Sequence, residues 1–371
     1  MAELRVFLSR IQDNILKLDR FFESRGLTWT LVLKVLGGHE GYWMPLLDPL
    51  PTLALRGIAD SRLEHLEEIK EKRPEWVTWQ IRPPALVHSN RIVAAVDVSC
   101  NSSVHTLIAL NEASKKRGGV KHKVLLMVEL GENREGFPPG ELISVYPEIL
   151  ELKHLEIVGL GSNLGCLYGV EPTYAKLTEL VSLQKSLSLI GGPPLSLLSG
   201  GSSINLPLIA KDQVPKAINH YRVGEAVFFG TSPYDNEVFE KLNADNFRFS
   251  ATILEVHNKD PLPVGGLVPS ALGTTLDSPE VTFAGVQALL DFGVVDVDPG
   301  DLRPVLDHLS VVGSTSDMTI IYDPTGNLHV GDKVEFIPSY MGVAKLVVSN
   351  TVRKVLEPAW TSEEVAVNSE L

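Results

Sequence analysis

The sequence predicts a two-part α/β fold: a (β/α)8 or TIM barrel followed by a C-terminal all-β domain. Three observations predict it. Short apolar runs alternate with helical periodicity eight times over about 230 residues, a count and length that suit a closed barrel better than an open sheet. The runs lack polar alternation, as parallel strands covered on both faces should. After about residue 245 the helical signal gives way to short strand patterns separated by Gly, Pro and Asp turns. The division expected is a barrel over residues 1–235 and a β-domain over 236–371, with residues 1–8 adding a strand to the latter.

The elements follow in order. Leu4–Leu8 reads as a short strand, and Ser9–Phe22 as a helix capped by Ser9, with Ile11, Ile15, Leu16, Leu18 and Phe22 at helical spacing. Trp29–Val35 favours extended structure, contains Lys34, and closes on Gly37-Gly38. Thr52–Ala59 is a strand whose following helix is capped by Asp60; Trp76–Ile81 and Ile92–Val98 are further strands. A helix over Ser102–Lys116, a strand over Lys123–Leu130, a helix near Pro139–Leu152 and a strand over Leu155–Leu160 come next. The helix Pro172–Leu187, the strand Leu195–Leu198 and the last barrel strand His220–Val223 complete the set, with Ala226–Phe229 continuing the apolar run. In the second part, strands are expected at Phe247–His257, Val281–Phe292, Val311–Gly313, Met318–Tyr322, Lys333–Ile337, Leu346–Val348 and Val352–Leu356, before a polar tail.

Composition narrows the function classes. A net charge of −13 opposes nucleic acid and anionic membranes as partners while leaving a cationic small substrate open. The two cysteines, Cys100 and Cys166, lie far apart without a CxxC, so a disulfide scaffold and a cysteine zinc site are not expected and a reducing cytoplasm fits. No apolar stretch is long enough to span a bilayer, and Met-Ala-Glu-Leu-Arg lacks a signal-peptide core. A Rossmann reading fails because no GxGxxG follows the first strand.

In a (β/α)8 barrel the chemistry sits at the C-terminal ends of strands. There the sequence places Lys34, an amine that desolvation would make nucleophilic or that would otherwise snorkel to solvent. The loop Ser199-Gly-Gly-Ser-Ser203 can turn backbone N–H groups toward a phosphate, and Arg222-Val-Gly224-Glu225 supplies a second glycine a phosphate could approach. A phosphorylated ligand that can also join a lysine amine is pyridoxal 5′-phosphate.

At these residues the chain resembles the alanine-racemase-like enzymes that use pyridoxal phosphate, most closely their ornithine-racemase-like branch. The matching motifs are Val-Leu-Lys34-Val, Ile-Ala-Asp60-Ser-Arg62-Leu-Glu, Val-Glu-Leu-Gly131-Glu-Asn-Arg134-Glu-Gly136, Gly-Leu-Gly161-Ser-Asn163-Leu-Gly-Cys, Ser199-Gly-Gly-Ser-Ser203-Ile-Asn-Leu and Tyr221-Arg222-Val-Gly224-Glu225-Ala. Two looser ones, Leu289-Leu-Asp-Phe-Gly293-Val-Val-Asp296 and Val312-Gly-Ser-Thr-Ser-Asp317, lie in the β-domain. The resemblance implies a head-to-tail homodimer with active sites completed across the interface. It implies that Lys34 is the Schiff-base lysine and the base for one face of the substrate Cα. Arg222 would face the pyridine nitrogen and, being always cationic, keep it unprotonated. Ser202, Ser203, Gly224 and the Glu225 backbone would hold the phosphate, and Arg134 would lie near the phenolic oxygen. Asn163 stands where alanine racemases have histidine. The family tyrosine for the opposite face follows a glycine aligned with Gly293, but here Val294 follows. A family lysine near the Arg134 motif aligns with Met127. The second base is therefore sought in Asp317, Tyr340 or Tyr322, with His39 also near, or Lys34 works alone; Asp291 and Asp296 read as turn caps.

The function expected is a pyridoxal-phosphate-dependent amino-acid racemase acting on ornithine or another basic amino acid. A one-base lyase or decarboxylase and a non-catalytic carrier of the cofactor are the alternatives.

Overall fold

A computed structural model describes residues 1–47, 50, 52–259, 268 and 285–359. The chain divides into two compact units, one containing residues 10–34 and 38–244, the other residues 1–9, 35–37 and 245–359.

The strands are β1 (Glu3–Phe7), β2 (Thr28–Val32), β3 (Leu55–Asp60), β4 (Thr78–Gln80), β5 (Val98–Asn101), β6 (His122–Val128), β7 (Leu155–Ser162), β8 (Leu197–Ser199) and β9 (His220–Val223). β2 to β9 form a closed barrel in chain order, every pairing parallel and β9 returning to β2. Successive side chains alternate between the lumen and the surrounding helices. Val32, Ala59, Trp79, Val98, Cys100, Leu125 and Met127 form the buried lumen cluster. Outside it, the helix Leu8–Glu23 buries Phe22 against Trp29 and Tyr221 at centroid distances of 5.8 and 5.9 Å. Asp19 on that helix accepts from Trp29 Nε1 at 2.8 Å and from the backbone N–H groups of Leu53, Ala54 and Leu55, so one carboxylate ties the helix to the start of β3.

The second unit is an eight-stranded sheet. It adds β10 (Phe247–Lys259), β11 (Gly285–Leu290), β12 (Leu302–Pro304), β13 (Ser310–Ser314), β14 (Thr319–Asp323), β15 (Lys333–Pro338) and β16 (Arg353–Glu357). The order is β12-β15-β10-β11-β14-β13, with β1 antiparallel to β10 and parallel to β16. Phe249, Phe292 and Phe336 make its aromatic centre, edge to face at 5.0 Å for the first pair and 5.8 Å for the last.

Several expectations need correction. Ile92–Val98 is not a strand: Ser89–Ala95 is helical and the fourth barrel strand is β5, a few residues on. The apolar run satisfied both patterns, since Ile92, Val93 and Ala95 bury one helical face. Leu346–Val348 is not a strand either but lies at the end of the helix Tyr340–Leu346. Ser9 sits inside its helix, and Asp60 ends β3 while Arg62 occupies the N-cap of the next helix. Ala226–Phe229 lies in a short helix, and β12 was not anticipated. Residues 236–244 group with the barrel unit, where Asn243 donates to Asp13 and to the Arg10 carbonyl. Residues 281–284 of one expected strand, and the tail from 360, lie outside the described residues.

Candidate active site

The lumen face of β9 carries His220 and Arg222, two residues apart and therefore on the same side of the strand. Arg222 is buried and stands opposite Thr30 of β2. Its Nη1 donates to Ser199 Oγ and its Nη2 to the Ser162 carbonyl at 2.7 Å, so partners from β7 and β8 fix the guanidinium. No carboxylate pairs with it among the described residues: a buried cation is held here by neutral oxygens. His220 lies one layer below, its ring nitrogens 2.9 Å from Ser199 Oγ and 2.9 Å from Thr30 Oγ1, and it stacks on Trp79 at 5.1 Å. Burial, reinforced by the Arg222 charge, pushes its imidazolium pKa down to about 3, so His220 is neutral. Sequence reasoning missed Thr30 and His220 and read Ser199 only as the start of a phosphate-suited loop; the His-x-Arg spacing on an apolar strand was the available signal.

β2 delivers Lys34 to the same end of the barrel. The Leu33 N–H donates to the Ala59 carbonyl at 2.8 Å, extending the parallel pairing past the strand end, and a 3-10 turn over Lys34–Leu36 follows. Val35 and Leu36 bury while the Lys34 side chain stays exposed. Gly38 lies at φ +77°, and a Cβ there would sit 2.1 Å from the His65 ring, so glycine is required where the turn leaves. Glu225, half-buried, feels the Lys34 ammonium: burial raises its carboxyl pKa and the lysine charge partly offsets that rise.

The loops after β8 and β9 are joined to each other. Ser203 Oγ accepts from the Ala226 N–H at 3.2 Å, and its carbonyl accepts from Ser232 Oγ at 3.2 Å. Ser202 and Asn205 form a reciprocal capping box, the Ser202 N–H donating to Asn205 Oδ1 at 3.1 Å. A Cβ on Gly224 would lie 2.9 Å from the Val32 carbonyl, so only glycine lets the β9 turn close against the end of β2. The structure thus gathers Ser202, Ser203, Gly224, Glu225, Arg222 and Lys34 at the ends of three neighbouring strands. A primary amine, a fixed cation and glycine-lined backbone beside two serines suit a phosphorylated aldehyde ligand.

On the β6–β7 side, two carboxylates organise the loops. Glu129 accepts from the Gly131 N–H and, at 3.1 Å, from the Arg134 N–H. Glu132, buried, accepts from the N–H groups of Gly165, Cys166, Leu167 and Tyr168 at 2.8, 2.9, 2.5 and 2.9 Å. Burial raises the pKa of each, and the backbone donors outweigh it, leaving both below the ordinary glutamate value. Arg134 is exposed at the loop tip and forks onto the Glu135 carboxylate through Nε and Nη2. Asn163 Nδ2 donates to Cys166 Sγ at 3.1 Å. Met127 is a buried lumen residue, as is Cys100, whose thiol is pushed up to about 11 chiefly by burial. His39 is exposed, its Nδ1 accepting from the Gly41 N–H.

The residues weighed as a second base belong to the sheet unit. Asp317 is exposed in the turn between β13 and β14 and accepts from Ser316 Oγ at 2.5 Å. The Val294 N–H donates to the Thr315 carbonyl at 3.0 Å, and a Cβ on Gly293 would lie 2.4 Å from the Asp317 backbone nitrogen. Val294 and Asp317 therefore sit on two touching turns. Tyr322 lies in β14 and Tyr340 opens the helix capped by Ser339, both half-buried. Asp296 caps its turn, accepting from the Gly293 N–H and also from Ser349 Oγ and Thr351 Oγ1, whereas Asp291 accepts from the Thr252 N–H of β10 at 2.7 Å and pairs with the Met1 ammonium at 3.0 Å.

The chain is similar to known proteins over most of its length. Residues 6–233 match the family described as alanine racemase, N-terminal domain. An ornithine racemase from Acetoanaerobium sticklandii is 30% identical over 359 residues, 95% of this chain and 99% of that protein. A lysine racemase from Thermotoga maritima is 27% identical over 96% of this chain and 98% of its own length. Among solved structures, an alanine racemase from Bartonella henselae with covalently bound pyridoxal phosphate superposes with a TM-score of 0.72 at 16% identity, covering 96% of this chain and 99% of that one.

Proposed function

Because the chain belongs to the alanine racemase family, we propose that it racemises a basic amino acid, ornithine or lysine, with pyridoxal 5′-phosphate attached at Lys34. It is an amino-acid racemase and hence an isomerase. The observation that carries the cofactor site is the pairing of β2 with β9, which sets the strand leading to Lys34 alongside the strand that holds the buried, hydrogen-bonded cation Arg222. When bound, the cofactor supplies an aldehyde for exchange with the substrate amine and a conjugated ring that acidifies the Cα proton.

The chain's residues do the rest. Ser202, Ser203 and the backbone N–H groups of Gly224 and Glu225 hold the phosphate. Arg222 would face the ring nitrogen, where a permanent cation would keep a proton off it. That weakens the ring as an electron sink and favours prompt return of a proton to Cα, which is the requirement of a racemase. Lys34 Nζ takes or gives the proton on one face. Arg134, held by Glu135, and Asn163 would complete the rim on the side of the phenolic oxygen. Asp317 is the proposed acid–base group for the other face, because Val294 has no proton to exchange and Asp317 lies on the turn against it. The active unit is a homodimer in the cytoplasm, its sites shared between copies. No helix among the described residues is long and apolar enough to cross a membrane.

Val294 favours one second reading, a one-base reaction of the same cofactor. Incubation of each enantiomer of ornithine and lysine in deuterated water separates them. Deuterium at Cα with both hands formed supports racemisation. Exchange with one hand retained supports the one-base enzyme, and no exchange on any amino acid leaves a carrier. Borohydride reduction followed by peptide mass spectrometry places the cofactor; a label anywhere but Lys34 overturns the site.

A further inference from the structure

We infer that Thr30, His220 and Ser199 form a one-directional hydrogen-bond chain that positions Arg222, and that it is complete only when the His220 proton resides on Nε2. The direction follows from donor and acceptor chemistry. A guanidinium can only donate, so Ser199 Oγ must accept from Arg222 Nη1. The serine keeps one proton and a second lone pair, and among the described residues the acceptor within reach of that proton is His220 Nδ1, 2.9 Å away. Nδ1 is therefore bare, the ring proton sits on Nε2, and Nε2 donates to Thr30 Oγ1 at 2.9 Å. The tautomer is fixed by a charge two bonds away in the chain.

The consequence concerns orientation. The short serine side chain holds Nη1 only if it cannot rotate toward another acceptor, and the His220 lone pair removes that freedom. Trp79, stacked parallel to the imidazole at an interplanar angle of 12°, stops the ring from turning. A proton on Nδ1 would take a serine lone pair and leave the serine proton without its acceptor, so the hydroxyl would be free to turn and would hold Nη1 less firmly. The charged group facing His220 is Arg222 on its own strand; Thr30, Ser199 and Trp79, from β2, β8 and β4, are neutral. The Ser162 carbonyl holds Nη2 from a third strand, so the planar guanidinium is pinned at two corners. His220 and Thr30 are positioning residues, acting through Ser199.

The inference rests on the cofactor reading for its purpose but not for its first test. Nitrogen NMR of the full-length protein labelled in histidine, without and with pyridoxal 5′-phosphate, reads the tautomer directly. The expected result is a protonated Nε2 and a bare Nδ1 for His220 from pH 8 to pH 5, assigned by loss of the signals in His220→Gln. An Nδ1–H tautomer or an imidazolium in that range overturns the chain whatever the enzyme does. The second test is Ser199→Ala against Ser199→Thr. In the alanine variant the visible band of the bound cofactor should shift and kcat should fall roughly tenfold with KM nearly unchanged, and threonine, which keeps the hydroxyl, should restore both. An unshifted band and unchanged kcat in Ser199→Ala, or failure of threonine to rescue, would refute a positioning role.

Discussion

The two sides of the barrel mouth are held by different means. On the β8–β9 side, side chains bond side chains inside the lumen: Arg222, Ser199, His220 and Thr30, all buried. On the β6–β7 side, Glu129 and Glu132 each gather backbone N–H groups, and the residues offered at the tip, Arg134 and Cys166, are exposed. The first arrangement fixes one charge in one place. The second fixes a loop backbone and leaves its side chains replaceable. The proposed reaction, which would need an unchanging cation on one side and an adaptable rim on the other, calls for both.

The largest expected effect ignores this contrast and tests the site as a whole. Lys34→Ala should lower racemisation by on the order of 10³-fold or more, measured by polarimetry or chiral chromatography, because no other amine stands at the end of β2. Next comes the backbone-centred side. Glu132→Gln removes the charged acceptor of four N–H groups, and a loss of roughly 3 kcal/mol in urea unfolding is expected, with hydrogen exchange rising first at residues 165–168. If the loss is uniform across the barrel, the loop is not an independent unit.

Acid separates the two sides by window, since both lose stability as pH falls but over different ranges. Glu132 has a lowered folded-state pKa, so its contribution is full above the unfolded glutamate value of about 4.3 and is lost as pH falls through the folded one. His220 stays neutral when folded, so the unfolded chain takes up a proton first and stability declines from about pH 6.5 downward. The buried His122, pushed down to about 4, acts in the same direction. Unfolding free energies at pH 7.5 and 5.5 should therefore differ less in His220→Gln than in the parent, while Glu132→Gln should leave that difference intact.

A smaller effect is expected at the rim. Glu135→Gln loosens the Arg134 fork, and kcat/KM should fall roughly tenfold with little change in thermal midpoint. Cys166→Ser, which alters an exposed tip residue, should change activity by less than about twofold. A large loss there would mean that the rim is as fixed as the lumen.

The barrel and its strand-end residues were legible because each strand is a concentrated apolar run and Lys34, Ser203, Arg222 and Gly224 fall at the ends of three of them. The run at residues 92–98 misled, since an apolar helix face and a buried strand look alike over seven residues. The Ser199–His220–Thr30 chain was not legible, because it joins three strands through barrel closure, and nothing local in Thr30 distinguishes it from any strand threonine. Glu132 was hidden for a similar reason: its partners lie in the loop after the next strand. The resemblance also grouped Asp317 with the site, and its turn touches that of Gly293 and Val294.

The placement of β1 carries a consequence for how the chain is made. Its partners are Phe247–Ser250 on one side and Arg353–Glu357 on the other. During synthesis the first strand leaves the ribosome with neither neighbour yet translated, and it waits while the intervening barrel emerges and folds. Until β10 arrives, Leu4 and Val6, both fully buried in the finished sheet, are bare hydrophobic side chains on an unpaired edge. The sheet is thus the last part to be completed, and a chain truncated before residue 353 would be left with one flank of β1 open to pairing with another molecule.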